Sequence, residues 1–370
     1  MADGHRARIA LIFGGSSSEH QVSCLTAGSV ARAIDPERYD VVGIGITRAG
    51  RWVRVGPEQL RTIEVSGNIL PEVPTDAVSA LLMRGDGGTE LATRDASAIA
   101  EIGRVDVAFA LLHGPYGEDG TIQGLFEMTG VPYVGAGVLA SAVGMDKHFM
   151  KLVLSASGLP VGPFVTITPR QWASDRVAAL DAVAALDFPV YVKPARGGSS
   201  MGISKVDSAD GLDAAIAEAQ RFDPKVIIEK AFVGARELEC GVLDSADGPQ
   251  ASVVAEIRMH TASGFYDFEA KYLPEEQVQL DVPAQIDPEL ETRVRELAVR
   301  TFLAVDCEGL ARVDFFHATD SQLVVNEINT MPGFTEHSMF PRMWAESGVG
   351  YRELIDRLVT LALHRSTGLR

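Results

Sequence analysis

The residues with the clearest chemical potential lie on two neighbouring segments near the C-terminus. Residues 309–316 and residues 323–333 are rich in β-forming side chains, and a short polar turn separates them. This pattern predicts an antiparallel hairpin. Side chains on a strand alternate between its two faces, so residues two positions apart share a face. One face of the hairpin should therefore carry a cation and three oxygen-bearing side chains: Arg312, Asp314, Glu327 and Asn329.

This polar face predicts a metal site. Carboxylate and amide oxygens are the ligands that a hard ion such as Mg²⁺ prefers in proteins. A magnesium site of this kind typically serves a nucleotide phosphate, so the chain should also contain a phosphate-binding segment. The alternative is a hairpin with one solvated polar face, a common feature of antiparallel sheets.

A glycine-rich segment, residues 195–202, is the candidate for phosphate binding. Glycines let the backbone approach a phosphate closely, and successive N–H groups form an anion-binding nest. Ser199 and Ser200 add hydroxyl groups. Lys193 precedes the segment and Lys147 lies on the preceding predicted helix, where both ammonium groups can neutralise phosphate charge. The Walker A string is absent, and a plain hairpin loop is the alternative.

A second glycine motif, residues 135–140, has the form of a dinucleotide-binding fingerprint, because it follows a short strand and opens a helix. The acidic residue expected about 20 positions later on a second strand is missing. Residues 155–159 instead end a helix. We therefore interpret this motif as a junction between domains.

The elements that position these residues follow from hydrophobic periodicity. Strands are predicted at residues 8–13, 39–46, 105–112, 131–134, 190–194, 201–206, 225–229, 236–243 and 253–258. Helices are predicted at residues 22–34, 139–157, 209–222, 288–304 and 351–364. Strands that alternate with helices indicate a parallel sheet with crossover helices. Residues 57–95 predict short strands and loops, and residues 260–283 predict a long loop of the kind that is usually functional.

Length and composition bound the class of protein. A chain of 370 residues suggests two or three domains, and we place the boundaries near residues 140 and 228. The hydrophobic content of 46% is that of an ordinary globular protein. A formal net charge of −17 without a Lys/Arg-rich run disfavours binding to nucleic acid or to an anionic membrane.

Cysteine usage and the N-terminus predict the compartment. Cys24, Cys240 and Cys307 are odd in number and far apart, which indicates free, buried thiols in a reducing environment. Residues 1–8 lack the apolar region of a signal peptide, and no apolar run reaches transmembrane length. These features predict a cytoplasmic protein.

Five blocks, in this order along the chain, resemble the D-alanine–D-alanine ligases of the ATP-grasp superfamily. They are Phe13-Gly-Gly-Ser-Ser-Ser-Glu-His-Gln-Val-Ser, Leu112-His-Gly-Pro-Tyr-Gly-Glu-Asp-Gly-Thr-Ile-Gln-Gly, Val192-Lys-Pro-Ala-Arg-Gly-Gly-Ser-Ser-Met-Gly, Phe265-Tyr-Asp-Phe-Glu-Ala-Lys-Tyr, and Val325-Asn-Glu-Ile-Asn-Thr-Met-Pro-Gly-Phe continuing to Ser338. The resemblance covers essentially the whole chain. It implies an ATP-grasp fold of mixed α/β and α+β class, in which an N-terminal parallel α/β domain precedes two α+β subdomains that clamp ATP. The corresponding ranges are 1–140, 141–228 and 229–370.

The resemblance also implies a reaction. Two D-alanines are joined to D-alanyl-D-alanine for peptidoglycan precursor synthesis, with ATP consumed and D-alanyl phosphate as the intermediate. It implies two Mg²⁺ ions, with Mn²⁺ as a substitute and a monovalent cation such as K⁺ as a further candidate. Relatives are commonly homodimers, so the implied partners are D-alanine, ATP and a second copy of the chain, without nucleic acid or membrane.

Residue roles are implied block by block. The ATP contacts would be Lys147, Lys193, Ser200, Glu229, Phe232 and Glu237, with Glu229 at the adenine and Glu237 at the ribose. The metal ligands would be Asp314, Glu327 and Asn329, in agreement with the hairpin argument. Arg312 and the backbone N–H of Gly333 would stabilise the oxyanion of the tetrahedral intermediate.

Substrate contacts are implied in the same way. Glu19 would hold the ammonium group of the first D-alanine, with His113 nearby; favourable pairing with a helix dipole is the alternative for Glu19. Lys271 and Ser338 would bind the carboxylate of the second D-alanine. Tyr272 would cover the site and form hydrogen bonds with Glu19 and Ser199. Tyr266 is either an anchor of the same loop or a half-buried aromatic residue.

One departure and three alternatives accompany this interpretation. Gly197 stands where many relatives carry Glu, for which we expect a local effect on the loop. A D-alanine–D-lactate ligase, or another ATP-grasp ligase, is the alternative within the superfamily, and Tyr272 favours the dipeptide-forming enzymes. A dinucleotide-dependent oxidoreductase lacks its acidic residue, and a non-catalytic nucleotide sensor would not need the complete set of charged residues.

Overall fold

The computed structural model describes residues 6–67, 69–86, 88–95, 98–198, 201–259 and 278–368. Its strands are β1 (Ala7–Gly14), β2 (Tyr39–Ile46), β3 (Trp52–Val55), β4 (Ser79–Gly85), β5 (Gly88–Arg94), β6 (Ile99–Arg104), β7 (Val107–Ala110), β8 (Phe164–Ile167), β9 (Val190–Pro194), β10 (Ser204–Val206), β11 (Val226–Lys230), β12 (Arg236–Leu243), β13 (Gln250–Met259), β14 (Val278–Asp281), β15 (Leu310–His317) and β16 (Leu323–Asn329). Its α-helices are α1 (His20–Ala33), α2 (Pro57–Arg61), α3 (Thr121–Thr129), α4 (Val138–Met145), α5 (Lys147–Ala156), α6 (Pro169–Ser174), α7 (Arg176–Ala184), α8 (Leu212–Ala219), α9 (Pro288–Ala304), α10 (Met339–Glu346) and α11 (Tyr351–His364).

The first sheet has the order β6-β5-β4-β3-β2-β1-β7. Its centre, β2-β1-β7, is parallel, as predicted. The apolar run from Ile9 to Phe13 is fully buried, because a parallel strand is covered on both faces. The other strands extend this centre in antiparallel fashion. The predicted short strands of residues 57–95 include β4 and β5, whereas β6 was not predicted.

Two further sheets follow along the chain. One has the order β10-β9-β11-β8, and the other has the order β14-β13-β12-β15-β16. Both are antiparallel. The architecture is therefore the predicted mixture of a parallel-containing sheet with two α+β units.

The predicted helix at residues 139–157 is wrong in one respect, because it is interrupted at Asp146. Asp146 has extended backbone angles and caps α5 by accepting a hydrogen bond from the Phe149 N–H at 3.3 Å. Its carboxylate also pairs with the Lys225 ammonium group. An Asp side chain that caps a new helix ends the preceding one, although the apolar pattern continues through this point. The break sets Lys147 at the first turn of α5.

Both ends of the chain contribute to one core. The last helix, α11, packs against α1 and β7, and its buried side chains join those of β1 in a single apolar cluster. The Tyr351 hydroxyl donates a hydrogen bond of 2.8 Å to the Phe334 carbonyl in this cluster. The segment predicted as the third domain thus supplies its last helix to the core of the first sheet. The boundaries at residues 140 and 228 stay predictions.

The three cysteines are free and buried, as predicted. Burial raises the pKa of the Cys24 thiol to about 12, so it is protonated at neutral pH. In the part of the chain that the structure describes, no helix has the length and apolar character needed to cross a bilayer.

Candidate active site

The hairpin at the centre of the site is formed by β15 and β16 in the predicted arrangement. Arg312 lies opposite Asn329 and Asp314 lies opposite Glu327. Cross-strand partners share a face, so all four side chains project from the same side of the sheet. A register shift follows Asp314, and local β-bulges of this kind occur commonly beside active sites.

Arg312 is held by carboxylates. Its Nε and one terminal nitrogen each donate a hydrogen bond of 2.7 Å to Asp314, which is a bidentate pair. The Asn329 side-chain amide also donates to Asp314 at 2.9 Å. Glu239 on β12, which was not predicted, lies 3.2 Å from Arg312 Nε. Burial disfavours the charge, but Asp314 and Glu239 raise the pKa of Arg312 well above its usual value.

Lys147 reaches the same hairpin from the start of α5. Its ammonium group donates a hydrogen bond of 2.8 Å to Glu327 and one of 3.3 Å to the Gly197 carbonyl. Burial alone would raise the pKa of Glu327, but the ammonium groups of Lys147 and Lys193 outweigh it and lower this pKa to about 2. One lysine therefore links the hairpin to the glycine-rich segment.

Lys193 belongs to a second buried pair. Its ammonium group donates a hydrogen bond of 2.5 Å to Glu229, and the ammonium group of Lys151 lies 3.0 Å from the other Glu229 oxygen. These cations outweigh burial and lower the pKa of Glu229 far below its usual range. Lys151 was missed by the sequence analysis, although its position four residues after Lys147 on a helix places both lysines on one face.

The polar hairpin face, Lys147 and Lys193 line one cavity of about 520 Å³, a size that suits a nucleotide or similar ligand. Most of the predicted site residues line it: Glu19, His113, Lys147, Lys193, Glu237, Arg312, Asp314, Glu327, Asn329, Gly333 and Ser338. Glu118 and Glu239 line it as well and were not predicted. Glu229 and Phe232 do not line it. Phe232 stacks on Phe316, a lining residue, at a centroid distance of 5.8 Å.

Loops of the first sheet also line the cavity. Glu19 precedes α1, but its side chain forms no capping hydrogen bond. A Cβ atom on Gly114 or Gly198 would lie 3.6 or 3.7 Å from the Glu19 carboxylate, so the glycine-rich segment and the loop after β7 converge there. The Glu19 carboxylate is therefore not used as a cap and lies on the cavity wall.

His113 is buried beside this carboxylate. Its Nδ1 lies 3.7 Å from Glu118, which also accepts a hydrogen bond of 2.7 Å from the Gly114 N–H. Burial disfavours the charged imidazole, but Glu118 and Glu19 outweigh it and raise the pKa of His113. This part of the cavity wall therefore combines carboxylates with a histidine whose pKa is raised.

Ser338 and Gly333 meet on the C-terminal side of the cavity. The Ser338 hydroxyl accepts a hydrogen bond of 3.1 Å from the Thr335 N–H and lies 2.7 Å from the Thr335 hydroxyl. A Cβ atom on Gly333 would lie 3.3 Å from the Ser338 hydroxyl. The turn after β16 thus places the Ser338 hydroxyl and the Gly333 backbone close together at the cavity.

The donor set of the hairpin fits a hard divalent cation. In the described ranges no three His, Cys, Asp or Glu side chains converge as a metal-binding group, and the hairpin offers two carboxylates and one amide instead. Burial and the charge of Asp314 raise the pKa of Glu237 to about 7. Burial is the larger cause; the contribution of Asp314 is one that a cation bound at the hairpin would offset.

Five residues singled out from the sequence lie outside the described residues: Ser199, Ser200, Tyr266, Lys271 and Tyr272. The same holds for most of the long loop predicted at residues 260–283, of which β14 and the residues after it are described.

The three sheets, the paired lysines and the acidic hairpin around one cavity define a protein of the ATP-grasp class, as its solved structural relatives are. Two family models match, described as D-ala D-ala ligase N-terminus at residues 8–136 and D-ala D-ala ligase C-terminus at residues 153–360. The chain belongs to the D-alanine–D-alanine ligase family.

Individual relatives are similar over their full length. The D-alanine–D-alanine ligase of Pseudarthrobacter chlorophenolicus is 54% identical, with 99% of this chain and 96% of the relative covered. That of Mycobacterium avium is 52% identical, with 100% of both covered. Among solved structures, the D-alanine–D-alanine ligase of Coxiella burnetii has a TM-score of 0.81 at 30% identity, with 97% of this chain and 94% of that chain covered. The VanG D-Ala:D-Ser ligase of Enterococcus faecalis has a TM-score of 0.80 at 35% identity, with 97% of this chain and 100% of that chain covered.

Proposed function

We propose that the protein joins two D-alanines to D-alanyl-D-alanine with cleavage of ATP to ADP and phosphate, as a step in the synthesis of peptidoglycan precursors. One observation carries this proposal. A single cavity is lined by Glu19 and His113 together with Lys147, Lys193 and the acidic hairpin. An amino acid and a nucleotide phosphate can therefore lie side by side, with their charges matched.

The first step activates the carboxylate of the first D-alanine. A carboxylate oxygen attacks the γ-phosphorus of ATP, ADP leaves, and D-alanyl phosphate forms. Phosphoryl transfer needs positioning and charge neutralisation more than covalent participation by the protein. Glu19 orients the first D-alanine by binding the ammonium group of that substrate, while Lys147 and Lys193 neutralise the phosphates. Ser199 and Ser200 complete this proposed phosphate contact.

The hairpin would hold the metal ions. We assign Asp314, Glu327 and Asn329 as ligands of two Mg²⁺ ions, with Mn²⁺ as a substitute; K⁺ remains a further candidate. When bound, the ions neutralise phosphate oxygens during transfer. The family uses ATP and a divalent metal in general, and the number and identity of the ions are part of this proposal.

The second step forms the peptide bond. The amine of the second D-alanine attacks the acyl carbon, a tetrahedral intermediate forms, and phosphate leaves. Arg312 and the Gly333 N–H stabilise the developing oxyanion, since preorganised donors act most strongly in a shielded site. Ser338 and Lys271 bind the carboxylate of this substrate, and Tyr272 covers it.

The nucleotide base is assigned to the β11 side of the site. We retain Glu229 and Phe232 as adenine contacts and Glu237 as the ribose contact. Phe316 supports this assignment, because it lines the cavity and stacks on Phe232. We further propose that the protein is a cytoplasmic homodimer, on the strength of its resemblance to family members and its buried free thiols.

The test compares second substrates. Purified protein is incubated with ATP, Mg²⁺ and D-alanine, alone or with D-lactate or D-serine, and product masses are measured. We expect D-alanyl-D-alanine as the main product, with L-alanine inactive. A main product containing D-lactate or D-serine would identify a different ligase. Phosphate release without any condensed product would contradict the ligase function itself.

A further inference from the structure

Arg312 has two carboxylate partners that lie on different strands. Asp314, on the same strand, accepts both of its short hydrogen bonds. Glu239, on the neighbouring strand β12, lies 3.2 Å from Arg312 Nε and is only 5% exposed. The register places Glu239 directly opposite Asp314, so the two carboxylates flank the guanidinium on one face of the sheet.

The proposed reaction makes conflicting demands on the pair of Arg312 and Asp314. Asp314 has to offer its oxygens to a metal, and Arg312 has to offer N–H groups to the reacting carbonyl. In the structure these same groups bind each other in a bidentate pair. Arg312 and the metal therefore compete for the Asp314 oxygens when the site is loaded. A buried guanidinium that loses its partner is unfavourable unless another carboxylate keeps it neutralised.

We infer that Glu239 is a positioning residue for the ligation reaction, which holds Arg312 Nε while Asp314 engages the metal. The inference rests on the proposed ligase function. Glu239 retains one edge of the guanidinium, and the remaining N–H groups face the cavity and the reacting carbonyl. In this role Glu239 acts through Arg312, which it contacts at Nε.

The inference distinguishes Glu239 from a carboxylate that merely supports the sheet. Without the charge of Glu239, Asp314 is the remaining carboxylate within hydrogen-bonding distance of Arg312 among the described residues. A divalent cation then has to displace Arg312 from Asp314 with no second carboxylate to receive it. Loss of Glu239 should therefore weaken metal binding, although Glu239 is not a ligand.

The test is Mn²⁺ binding to Glu239→Gln in the presence of a non-hydrolysable ATP analogue, measured by electron paramagnetic resonance without turnover. We expect the Kd for Mn²⁺ to rise about tenfold, which corresponds to one lost charged contact. In separate kinetics, kcat should fall by about tenfold or more while the KM for ATP changes by less than about threefold. The Arg312→Gln background should abolish the effect of Glu239→Gln on Mn²⁺ affinity.

Glu256→Gln is the matched control. Glu256 is a buried carboxylate of the adjacent strand β13, and it pairs with Arg236 at 2.7 and 2.6 Å. The register places it opposite Leu238, hence on the other face of the sheet from Glu239. This variant also removes a buried carboxylate, but Mn²⁺ affinity and kcat should stay within about twofold of wild type.

The outcomes separate the two proposals. A wild-type protein that makes no dipeptide contradicts the proposed function. If the wild-type protein makes dipeptide and the folded Glu239→Gln variant matches its Mn²⁺ affinity and kcat, the positioning role alone is overturned. Should Glu239→Gln fail to fold, Glu239→Asp replaces it: it keeps the charge but shortens the reach, so kcat should fall by about fivefold or more. Wild-type kcat in that variant would overturn the inference.

Discussion

Arg312 and Asp314, two residues apart on β15, bind each other through two hydrogen bonds of 2.7 Å. Two further pairs at the site have the same character: Lys147 with Glu327 at 2.8 Å, and Lys193 with Glu229 at 2.5 Å. In these three pairs, charged groups proposed to contact phosphate, metal or the oxyanion are thus matched with an opposite charge. Substrate binding would exchange these partners, which avoids the penalty of burying a charge alone.

The Arg312→Lys variant tests the oxyanion role. Lysine keeps the charge but lacks the planar fork that binds a carboxylate and a carbonyl at once. We expect kcat to fall by about 10²–10³-fold, the effect of removing one oxyanion donor. Steady-state kinetics with D-alanine measure it. A change confined to the KM for ATP would make Arg312 a nucleotide contact instead.

The Glu327→Gln variant tests the metal assignment. Removing this carboxylate takes away one proposed ligand and the partner of Lys147. Without this ligand the site should hold its metal ions less tightly, and the phosphate charge that they would neutralise is left uncompensated in a shielded site. Ligation should therefore fall by at least about 100-fold. Circular dichroism should show an intact fold. Wild-type turnover at saturating Mg²⁺ would remove Glu327 from the metal site.

The Glu237→Gln variant tests whether Glu237 makes the stability of the folded protein depend on pH. The pKa of Glu237 in the folded protein, about 7, lies above its ordinary value of 4.5. Between these values the folded protein keeps a proton that the unfolded chain has lost. Stability therefore falls as pH rises through this window, and the penalty is complete above about pH 7. The variant should be more stable than wild type at about pH 8, by no more than about 3 kcal/mol.

Thermal unfolding of the protein without nucleotide or metal, followed from about pH 5 to pH 8, measures this effect. Glu256→Gln is the control with the opposite sign. Burial alone would raise the pKa of Glu256, but Arg236 and Arg258 outweigh it and lower this pKa. The Glu256 carboxylate therefore stabilises the folded protein at pH values above its ordinary pKa. Its loss should destabilise the protein at neutral pH. Equal effects of both variants would contradict the raised pKa of Glu237.

The Gly309→Ala variant tests the contact between β15 and the glycine motif at residue 135. Gly309 has φ of +73°, and a Cβ there would lie 2.9 Å from Gly135 Cα. Gly158 has a similar φ of +69° with nothing within 4 Å of a Cβ. Gly158→Ala should cost about 1 kcal/mol for the left-handed backbone. Gly309→Ala should cost a further 1–3 kcal/mol or so from crowding, measured by denaturant unfolding; equal costs would exclude a tight contact.

Alternation along the strands was sufficient to predict the hairpin face, because strand geometry fixes which residues share a side. The bounds of α9 and α11 were also predicted correctly from periodicity and flanking residues. Local rules did not predict the break at Asp146, since the apolar pattern runs through it and a single capping side chain decides the outcome.

The missed site residues have a different cause. Glu239 alternates with Glu237 on a correctly predicted strand, but nothing local indicates that β12 lies beside β15. The role of Lys151, on helix α5, follows from its contact with Glu229 on strand β11. Such relationships depend on strand order and on how sheets pack, which residue spacing does not encode.

The transfer of ¹⁸O from D-alanine to phosphate tests the central claim most directly. The protein is given ATP, Mg²⁺ and D-alanine labelled in both carboxylate oxygens, and the phosphate and dipeptide are analysed by mass spectrometry. Attack of the carboxylate on the γ-phosphorus predicts one ¹⁸O in each released phosphate, with three retained in the dipeptide. Phosphate without ¹⁸O, or the release of AMP, would contradict the D-alanyl phosphate route.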